Sequence, residues 1–276
     1  MSRSRYRVRS GIVVRRTPLP SGDVVVTLLS DDGKWRAVVR KGRRLGGNPG
    51  RLSLFHDVEV QAYQRRDDDL AVVTQVRLAG ALSRLADPSV YPFAHLLAEL
   101  AERLSVDGQG LEPLHAWLAS GLRGLDRDPD PERVALIHAW MLLRVAGLAP
   151  DLSAAERNAA DSGDADPGDA DLERPPEAPL RFDVAGGRVA RGGAGTVLSP
   201  AVWSGFRLLA AGRPRDALND AIDDRPSQWR MLARYVAWHV ADLRSLEALT
   251  PGATADAAGG PDRDAPLPAP PIGMER

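Results

Sequence analysis

The amino-acid sequence predicts an α+β fold in which a small β-barrel comes first and a helical domain follows. Up to about residue 78, apolar and polar residues alternate with a period of two, which is typical of strands. Beyond that point the apolar residues recur with a period of about 3.6, which is typical of amphipathic helices. The chain has 276 residues, 43% of them hydrophobic, which is enough for one sizeable core or for two compact units.

The first predicted strand runs from Arg3 to Arg15 and alternates almost without a break. Parity directs its arginines to solvent, and Gly11 is expected to bulge or bend the strand where a small barrel would curve. The residues predicted to face the core are Tyr6, Val8, Ser10, Ile12 and Val14. The later predicted strands are Val24–Leu29, Lys34–Arg40, Phe55–Tyr63 and Leu70–Leu78. Five strands this short favour an OB-type barrel over residues 1–80, and an SH3-like barrel is the second choice.

Three helices are predicted in residues 81–150, the first part of the helical domain. Two of them are predicted from apolar residues, mostly leucines, that recur at helical spacing. The third is predicted from residues that favour the start and the end of a helix. That third helix has Asp130 as its cap, Pro131 at its first position and Gly147 at its end. The two stripes are Phe93, Leu96, Leu97, Leu100 and Leu104, and Leu111, Leu114, Leu118 and Leu122.

Residues 151–180 are rich in Ala, Asp, Glu and Pro and contain almost no large apolar residue. Such a segment cannot bury enough surface to offset the entropy of ordering, so we predict an acidic disordered linker. A hairpin over 181–191, within a segment 181–198, is expected next. The closing part of the helical domain, 199–250, is predicted to contain a helix from Ser199 to near Gly212 and one long helix, Ser227–Leu249. Residues 251–276 are predicted to be a disordered tail.

Positive charge is concentrated near the amino terminus. The first 66 residues contain 15 Arg and Lys but only five Asp and Glu, a surplus of ten, whereas the whole chain has a net charge of −1. A partner responds to the local potential, so a nucleic acid is the expected ligand. The alternative is a solvated, arginine-rich surface without a ligand. The predicted binding residues are Arg15, Arg16, Lys34, Arg36, Arg40, Lys41, Arg43, Arg44 and Arg51.

Base stacking would need exposed aromatic rings in addition to cations. By parity, Trp35 faces the core of the barrel. Tyr63 lies on the opposite face from Val58 and Val60, and it is therefore the candidate for stacking.

Other kinds of site have little support in the sequence. The chain contains no cysteine, which excludes disulfides, thiolate metal sites and cysteine nucleophiles. Three aspartates, 67–69, are typical of an acidic turn more than of a metal site, and the five histidines have no metal-ligand spacing. The segment GGRVARGGAGT lacks the ending of a phosphate loop, and no organised nucleophile is present. We therefore expect no enzymatic activity, metal or cofactor. No run of about 18 apolar residues predicts a membrane span, which favours a cytoplasmic protein.

Several segments together resemble the RecO family of recombination mediators. SGIVVRR, SGDVVVTLLSDDGKWRAVVRKGRR and the strand from Phe55 to Tyr63 are similar to the family's amino-terminal OB domain. The later segment RYVAWHVADLRSLEAL resembles its carboxy-terminal helix. The similarity covers roughly residues 10–148 and 180–250. Many members have a four-cysteine zinc module, of which FDVAGGRVARGG looks like a remnant without metal ligands.

The resemblance implies a bacterial, nucleoid-associated protein that binds single- and double-stranded DNA and anneals complementary strands. It implies two protein partners: RecR, and the tail of the single-stranded-DNA-binding protein. With RecR, such a protein promotes loading of the RecA recombinase. By position, Lys34, Arg36 and Arg40 match basic residues of the family's DNA-binding barrel face. An apolar groove edged by Arg133 or Arg144 would suit an acidic, aromatic-ended tail.

Two other functional classes remain open from the sequence. One is a generic single-strand or RNA chaperone on the same barrel, which would bind nucleic acid without recognising RecR. The other is a protein-interaction adaptor whose arginines only make it soluble and which would show no salt-sensitive affinity for nucleic acid.

Overall fold

The computed structural model describes residues 5–40, 48–66, 70–107, 112–152, 155, 179–193, 195–213 and 225–250. It confirms the predicted α+β class, with a five-stranded barrel followed by helices. The predicted tail, 251–276, and most of the predicted acidic linker lie outside the described residues. The start of that linker is ordered by packing. Asp151 N donates to Gly187 O at 2.7 Å, and Leu152 and Ala155 are buried, so the prediction of disorder from residue 151 is wrong there.

The barrel closes in the strand order β1-β2-β3-β5-β4. Adjacent strands are antiparallel except β3 and β5, which run parallel. The strands are β1 Tyr6–Pro18, β2 Val24–Ser30, β3 Gly33–Val39, β4 Asp57–Tyr63 and β5 Ala71–Gly80, and a short helix, α1 Asn48–Arg51, lies between β3 and β4. Five short strands in a closed Greek-key order form the OB-type barrel that the sequence predicts.

The interior of the barrel is filled by small and branched side chains that alternate along the strands. Leu52, which follows α1, is fully buried with them and closes one end of the barrel. The strand residues of this core are Val13, Val26, Leu28, Ala37, Val39, Val58, Val60, Ala62, Ala71, Val73 and Val76. Trp35 packs against this cluster, as its parity predicts.

The prediction of which side of β1 faces the core is wrong. Val13 points into the barrel, whereas Ile12 and Val14 lie on its outer side and pack against the helices. On the same outer side, Tyr6 is 55% exposed and Val8 is 60% exposed. The physical reason is that β1 contributes side chains to two cores, one inside the barrel and one between the barrel and the helices. Its outer apolar residues are covered only where the helical domain reaches them, and parity cannot say which core lies on which side.

Gly11 does not form the predicted bulge. The register of β1 against β2 shifts between Val13 and Arg15 instead. Gly11 allows a close approach of strands, since a Cβ there would lie 2.7 Å from Leu29 O. The predicted strand from Phe55 also starts late, because Phe55 has a φ of +68° and regular pairing begins at Asp57.

The helical domain is built around its third helix, Pro131–Val145, which is buried on nearly every side. The two predicted stripes and the capped segment form α2 Tyr91–Leu104, α3 Glu112–Arg127 and α4 Pro131–Val145. Asp130 accepts a hydrogen bond from Arg133 N at 3.2 Å, which confirms the predicted cap. These helices share one apolar cluster with Ile12, Val14 and Phe55 of the barrel region, so the two domains pack directly against each other.

A three-stranded sheet and three helices complete the described chain. The predicted hairpin is present, and it gains a third strand on the other edge of its first strand. The elements are β6 Leu180–Asp183, β7 Arg188–Arg191, β8 Thr196–Val197, α5 Pro200–Ala210, α6 Arg225–His239 and α7 Arg244–Leu249. The prediction of one long closing helix is wrong, because the chain leaves the helix after His239 and starts a new one at Arg244.

Candidate nucleic-acid interface

Three strands of the barrel bring four of the predicted cations onto one outer surface. Arg15 lies opposite Thr27 on β2, and Thr27 lies opposite Arg36 on β3. Lys34 precedes Arg36 by two residues on the same side of β3, and Arg40 directly follows the strand. We call this surface the β2–β3 face; it consists of Arg15, Lys34, Arg36 and Arg40 with Val25, Thr27 and Val38 between them. In OB folds, this side of strands 2 and 3 is the usual surface for binding oligonucleotides.

Two acidic residues of the helical domain lie against this face. Glu102, near the end of α2, contacts Arg15, with 3.4 Å between Oε1 and Nη1. Asp107 follows α2 and accepts a hydrogen bond from Arg36 at 2.6 Å, and its other oxygen lies 3.5 Å from Lys34 Nζ. The helical domain therefore neutralises part of the positive charge that the sequence predicts for the barrel.

Lys34 is a structural anchor as well as a member of the face. Its Nζ donates to two backbone carbonyls at the end of α2, Glu102 O at 3.3 Å and Ser105 O at 3.1 Å. The side chain is only 19% exposed. These carbonyls would otherwise end a helix unsatisfied, and a cation is favourable at a helix carboxyl terminus. Lys34 thus fixes α2 to the barrel and presents little charge to solvent.

The remaining predicted DNA-binding residues are distributed less closely. Arg16 is exposed, as is Arg40 of the β2–β3 face. Arg51 donates from Nη1 to Val76 O at 3.0 Å, so it holds α1 against β5. Lys41, Arg43 and Arg44 lie outside the described residues.

Sequence reasoning missed the two carboxylates that face the cations. Glu102 and Asp107 are more than 60 residues from Arg36, and each looks like an ordinary polar residue near the end of a helix. No local pattern marks them, because their contact with the barrel depends on how the two domains pack.

The two cations proposed for partner binding differ in their surroundings. Arg133 is close to Asp128, at 3.5 Å, and to Asp130, at 3.9 Å, so its charge is balanced within the helical domain. Arg144 lines a small apolar cleft and donates to Leu209 O at 2.8 Å. The cleft is lined by Trp140, Met141, Ala149, Pro150, Leu152, Phe206, Leu209 and Ala210.

The described residues form no candidate metal site. No group of three or more His, Asp or Glu side chains there could hold a metal ion, and residues 67–69 lie outside the description. His138 is buried, with Nδ1 2.8 Å from Val134 O, and burial lowers its pKa below the usual 6.5 although that hydrogen bond raises it. The sheet β6–β8 does not fit a four-cysteine zinc module, because the chain has no cysteine. No helix in the described part of the chain is long and apolar enough to cross a membrane.

Comparison with known proteins agrees with this architecture. A family model described as "Recombination protein O N terminal" matches residues 4–82, and one described as "Recombination protein O C terminal" matches residues 85–247. The chain belongs to the RecO family. The boundary between the two matches falls at the end of β5, where the barrel gives way to helices.

Curated relatives support the same assignment. A protein named DNA repair protein RecO from Gloeobacter violaceus is 33% identical over 157 residues, which are 55% of this chain and 59% of that protein. A protein of the same name from Anaeromyxobacter dehalogenans strain 2CP-C is 34% identical over 194 residues, 67% of this chain and 68% of the relative. The aligned region thus spans about three fifths to two thirds of these relatives. The resemblance seen in the sequence is therefore confirmed, and the family is one of DNA repair and recombination proteins.

Proposed function

We propose that this protein is a recombination mediator in bacterial DNA repair. It binds single- and double-stranded DNA and anneals complementary strands that are coated by the single-stranded-DNA-binding protein. With RecR it promotes loading of the RecA recombinase. The observation that carries the proposal is that cations of β1 and β3 lie on either side of β2 on the outer surface of an OB-type barrel, in a chain of the RecO family.

Annealing is limited by repulsion between two phosphate backbones, and cations at the barrel surface reduce that repulsion. If about six phosphates of a single strand are neutralised, the logarithm of affinity falls with the logarithm of salt concentration with a slope of about −4. Contacts of this kind go to phosphates, so they tolerate any base sequence. No covalent bond is made or broken, and no enzymatic turnover is required.

The coating protein has to be engaged as well as the DNA. The cleft at Arg144 has an apolar lining and a guanidinium at its rim, which suits an acidic peptide that ends in an aromatic residue. Arg133 does not edge this cleft and is balanced by Asp128 and Asp130. We therefore assign the protein tail to Arg144.

The test is annealing of coated complementary oligonucleotides by Arg36→Glu/Arg40→Glu. Reversing two charges on the β2–β3 face should slow annealing by at least about tenfold and flatten the dependence of DNA affinity on salt. Arg207→Glu/Arg230→Glu is the matched control, because both of its arginines are exposed on helices of the carboxy-terminal part and the charge change is the same. An annealing rate that is equal in the two variants would exclude the face from the mechanism.

The alternative classes predict different outcomes. A generic chaperone would bind DNA in the same salt-dependent way but would not be retained by immobilised RecR or the single-stranded-DNA-binding protein. A pure adaptor would be retained by a protein partner and would bind no polynucleotide at low salt. Retention assays and a salt titration on the full chain separate these cases.

A further inference from the structure

The barrel has a second outer surface, on β1 and β4. Its exposed aromatic and apolar side chains play no part in phosphate binding by the β2–β3 face. Strand β4 has β1 and β5 as neighbours, so it lies across the closed barrel from β2 and β3. Its outward residues alternate with the core residues Val58 and Val60. We call this surface the β1–β4 face; it consists of Tyr6, Val8 and Ser10 of β1 and Glu59, Gln61 and Tyr63 of β4.

The β1–β4 face exposes aromatic and apolar groups. Tyr6 lies directly opposite Tyr63, and their rings meet edge to face with centroids 5.4 Å apart. Tyr6 is more than half exposed, and so is Val8, two residues further along the same side of β1. A cross-strand aromatic pair stabilises a sheet. That contribution explains the pairing of the two rings, but it does not explain why Val8 is also left in solvent.

Cations surround the aromatic pair. Arg5 precedes Tyr6, and its Nη1 lies 3.4 Å from the Tyr63 hydroxyl. Arg65 and Arg66 follow β4 and are exposed at the same end of the barrel. The carboxylate on this face is neutralised, because Glu59 accepts two hydrogen bonds from Arg77, at 3.0 and 3.2 Å. Those bonds and the charge of Arg77 lower the pKa of Glu59, so it remains ionised and paired.

We propose that the β1–β4 face binds unpaired bases of a single DNA strand by stacking on Tyr6 and Tyr63, with Arg5, Arg65 and Arg66 contacting the flanking phosphates. Aromatic rings within a basic groove are the usual platform for single strands, since every base has a face that can stack. Duplex DNA does not offer its bases in this way, so the face selects single strands. The inference rests on the proposed function and adds a second site to it. One barrel then contacts nucleic acid on two opposite sides.

The test compares a 30-residue thymidine strand with an abasic strand of the same length and charge, using fluorescence anisotropy on the full chain. The protein should bind the thymidine strand about tenfold more tightly, because only that strand has bases that can stack on the rings. Tyr6→Leu/Tyr63→Leu should lose most of that preference, because leucine keeps an apolar strand surface without an aromatic face. Tyr6→Phe/Tyr63→Phe is the matched control and should retain it. Affinity for the abasic strand should be equal in all three proteins.

The outcomes separate this inference from the proposed function. Failure to bind either strand at low salt would remove both. Binding to both strands with equal affinity, or a leucine variant that keeps the preference for bases, would remove the stacking site alone. Self-association that only the leucine variant loses, without a change in base preference, would reassign the face to contact between copies and overturn the inference.

Photocrosslinking does not depend on the fold of any variant. A strand that carries 5-iodouracil should crosslink to Tyr6 or Tyr63 of the unmodified protein, as mapped by mass spectrometry. Crosslinks confined to the β2–β3 face would contradict the proposal.

Discussion

Glu102 and Asp107 determine how much positive charge the β2–β3 face presents to a ligand. Glu102 pairs with Arg15 and Asp107 with Arg36, so in the proposed function each carboxylate would compete with DNA phosphates for its guanidinium group. Asp107 also lies 3.5 Å from Lys34 Nζ, and the two hydrogen bonds of Lys34 go to backbone carbonyls at the end of α2. At the scale of single residues, the net charge of the face therefore depends on acidic residues of the helical domain as well as on the number of its own arginines.

Removing both carboxylate charges with Glu102→Gln/Asp107→Asn should increase the affinity for single-stranded DNA about fivefold at low salt. The Arg36–Asp107 pair is exposed on both sides, so it is worth about 1 kcal/mol at most and salt screens it, whereas Glu102 is only 12% exposed. Anisotropy titrations over a range of salt concentrations measure the effect, and the gain should shrink as salt rises. Glu247→Gln, an exposed glutamate on α7, serves as the control and should leave the affinity unchanged. Equal affinity for the double variant and the original chain would show that these acids do not limit binding.

At the scale of elements, the closing helix shows how a tertiary contact overrides a continuous helical pattern. Leu232, Val236 and Leu243 are buried at spacings that a single continuous helix would also give. The break after His239 places the start of α7 against α2, where Glu99 accepts hydrogen bonds from Ser245 N at 3.0 Å and from Ser245 Oγ at 2.5 Å. A carboxylate at a helix amino terminus satisfies backbone donors that otherwise have no partner within the helix. The helix α7 is therefore capped from another element, and the local sequence does not encode that.

Glu99→Gln should lower the free energy of unfolding by about 1–2 kcal/mol at pH 7, because it weakens charge-assisted hydrogen bonds in a partly exposed site. Burial raises the pKa of Glu99, but the bonds from Ser245 and Arg244 and the nearby His95 outweigh it and leave the pKa below 4.5. A carboxylate with a lowered pKa stabilises the fold above its unfolded value and loses that contribution as pH falls through the folded one. The cost of the substitution should therefore be greatest above pH 4.5 and decline below it.

Urea unfolding of Glu99→Gln, Ser245→Ala and the double variant at several pH values measures this coupling. The double-mutant cycle should give a coupling of about 1 kcal/mol at pH 7. Additive effects of the two substitutions at neutral pH would mean that Glu99 does not hold α7 through Ser245.

At the scale of the whole molecule, an aromatic cluster joins the sheet β6–β8 to the helices. Phe182 is fully buried, with its ring centroid 5.5 Å from Tyr235 and 5.8 Å from Phe206. Trp140 of α4 meets Phe206 edge to face at 5.0 Å. Tyr235 also donates its hydroxyl to Leu148 O at 3.0 Å, which connects α6 to the segment after α4. Apolar burial therefore organises the region that resembles a zinc module.

Phe182→Ala should destabilise the protein by about 3–5 kcal/mol, since it leaves a cavity at the centre of this cluster. Val197→Ala on the neighbouring strand β8 is the control, because Val197 is exposed and its truncation should change stability by about 0.5 kcal/mol or less. Thermal unfolding of the unmodified chain should be the same with and without EDTA. A lower melting temperature in the chelator would contradict a metal-independent module.

The sequence by itself determined the order and type of most elements, because periodicity and caps are local properties. The alternation of β3 placed Arg36 and Arg40 on one side and Ala37 and Val39 on the other, as the structure confirms. The cap at Asp130 and the stripes of α2 and α3 were likewise readable from neighbouring residues. A strand or helix repeats its pattern along the chain, so it can be predicted without its partners.

Tertiary structure alone decided which surfaces face each other. The apolar side of β1 turned outward because a second core covers Ile12 and Val14, and the same arrangement left Tyr6 and Val8 exposed. Glu102 and Asp107 reached the barrel cations only through the packing of α2 against β1. Contacts between residues far apart in sequence depend on how whole elements are packed, and periodicity within one element contains no information about that packing.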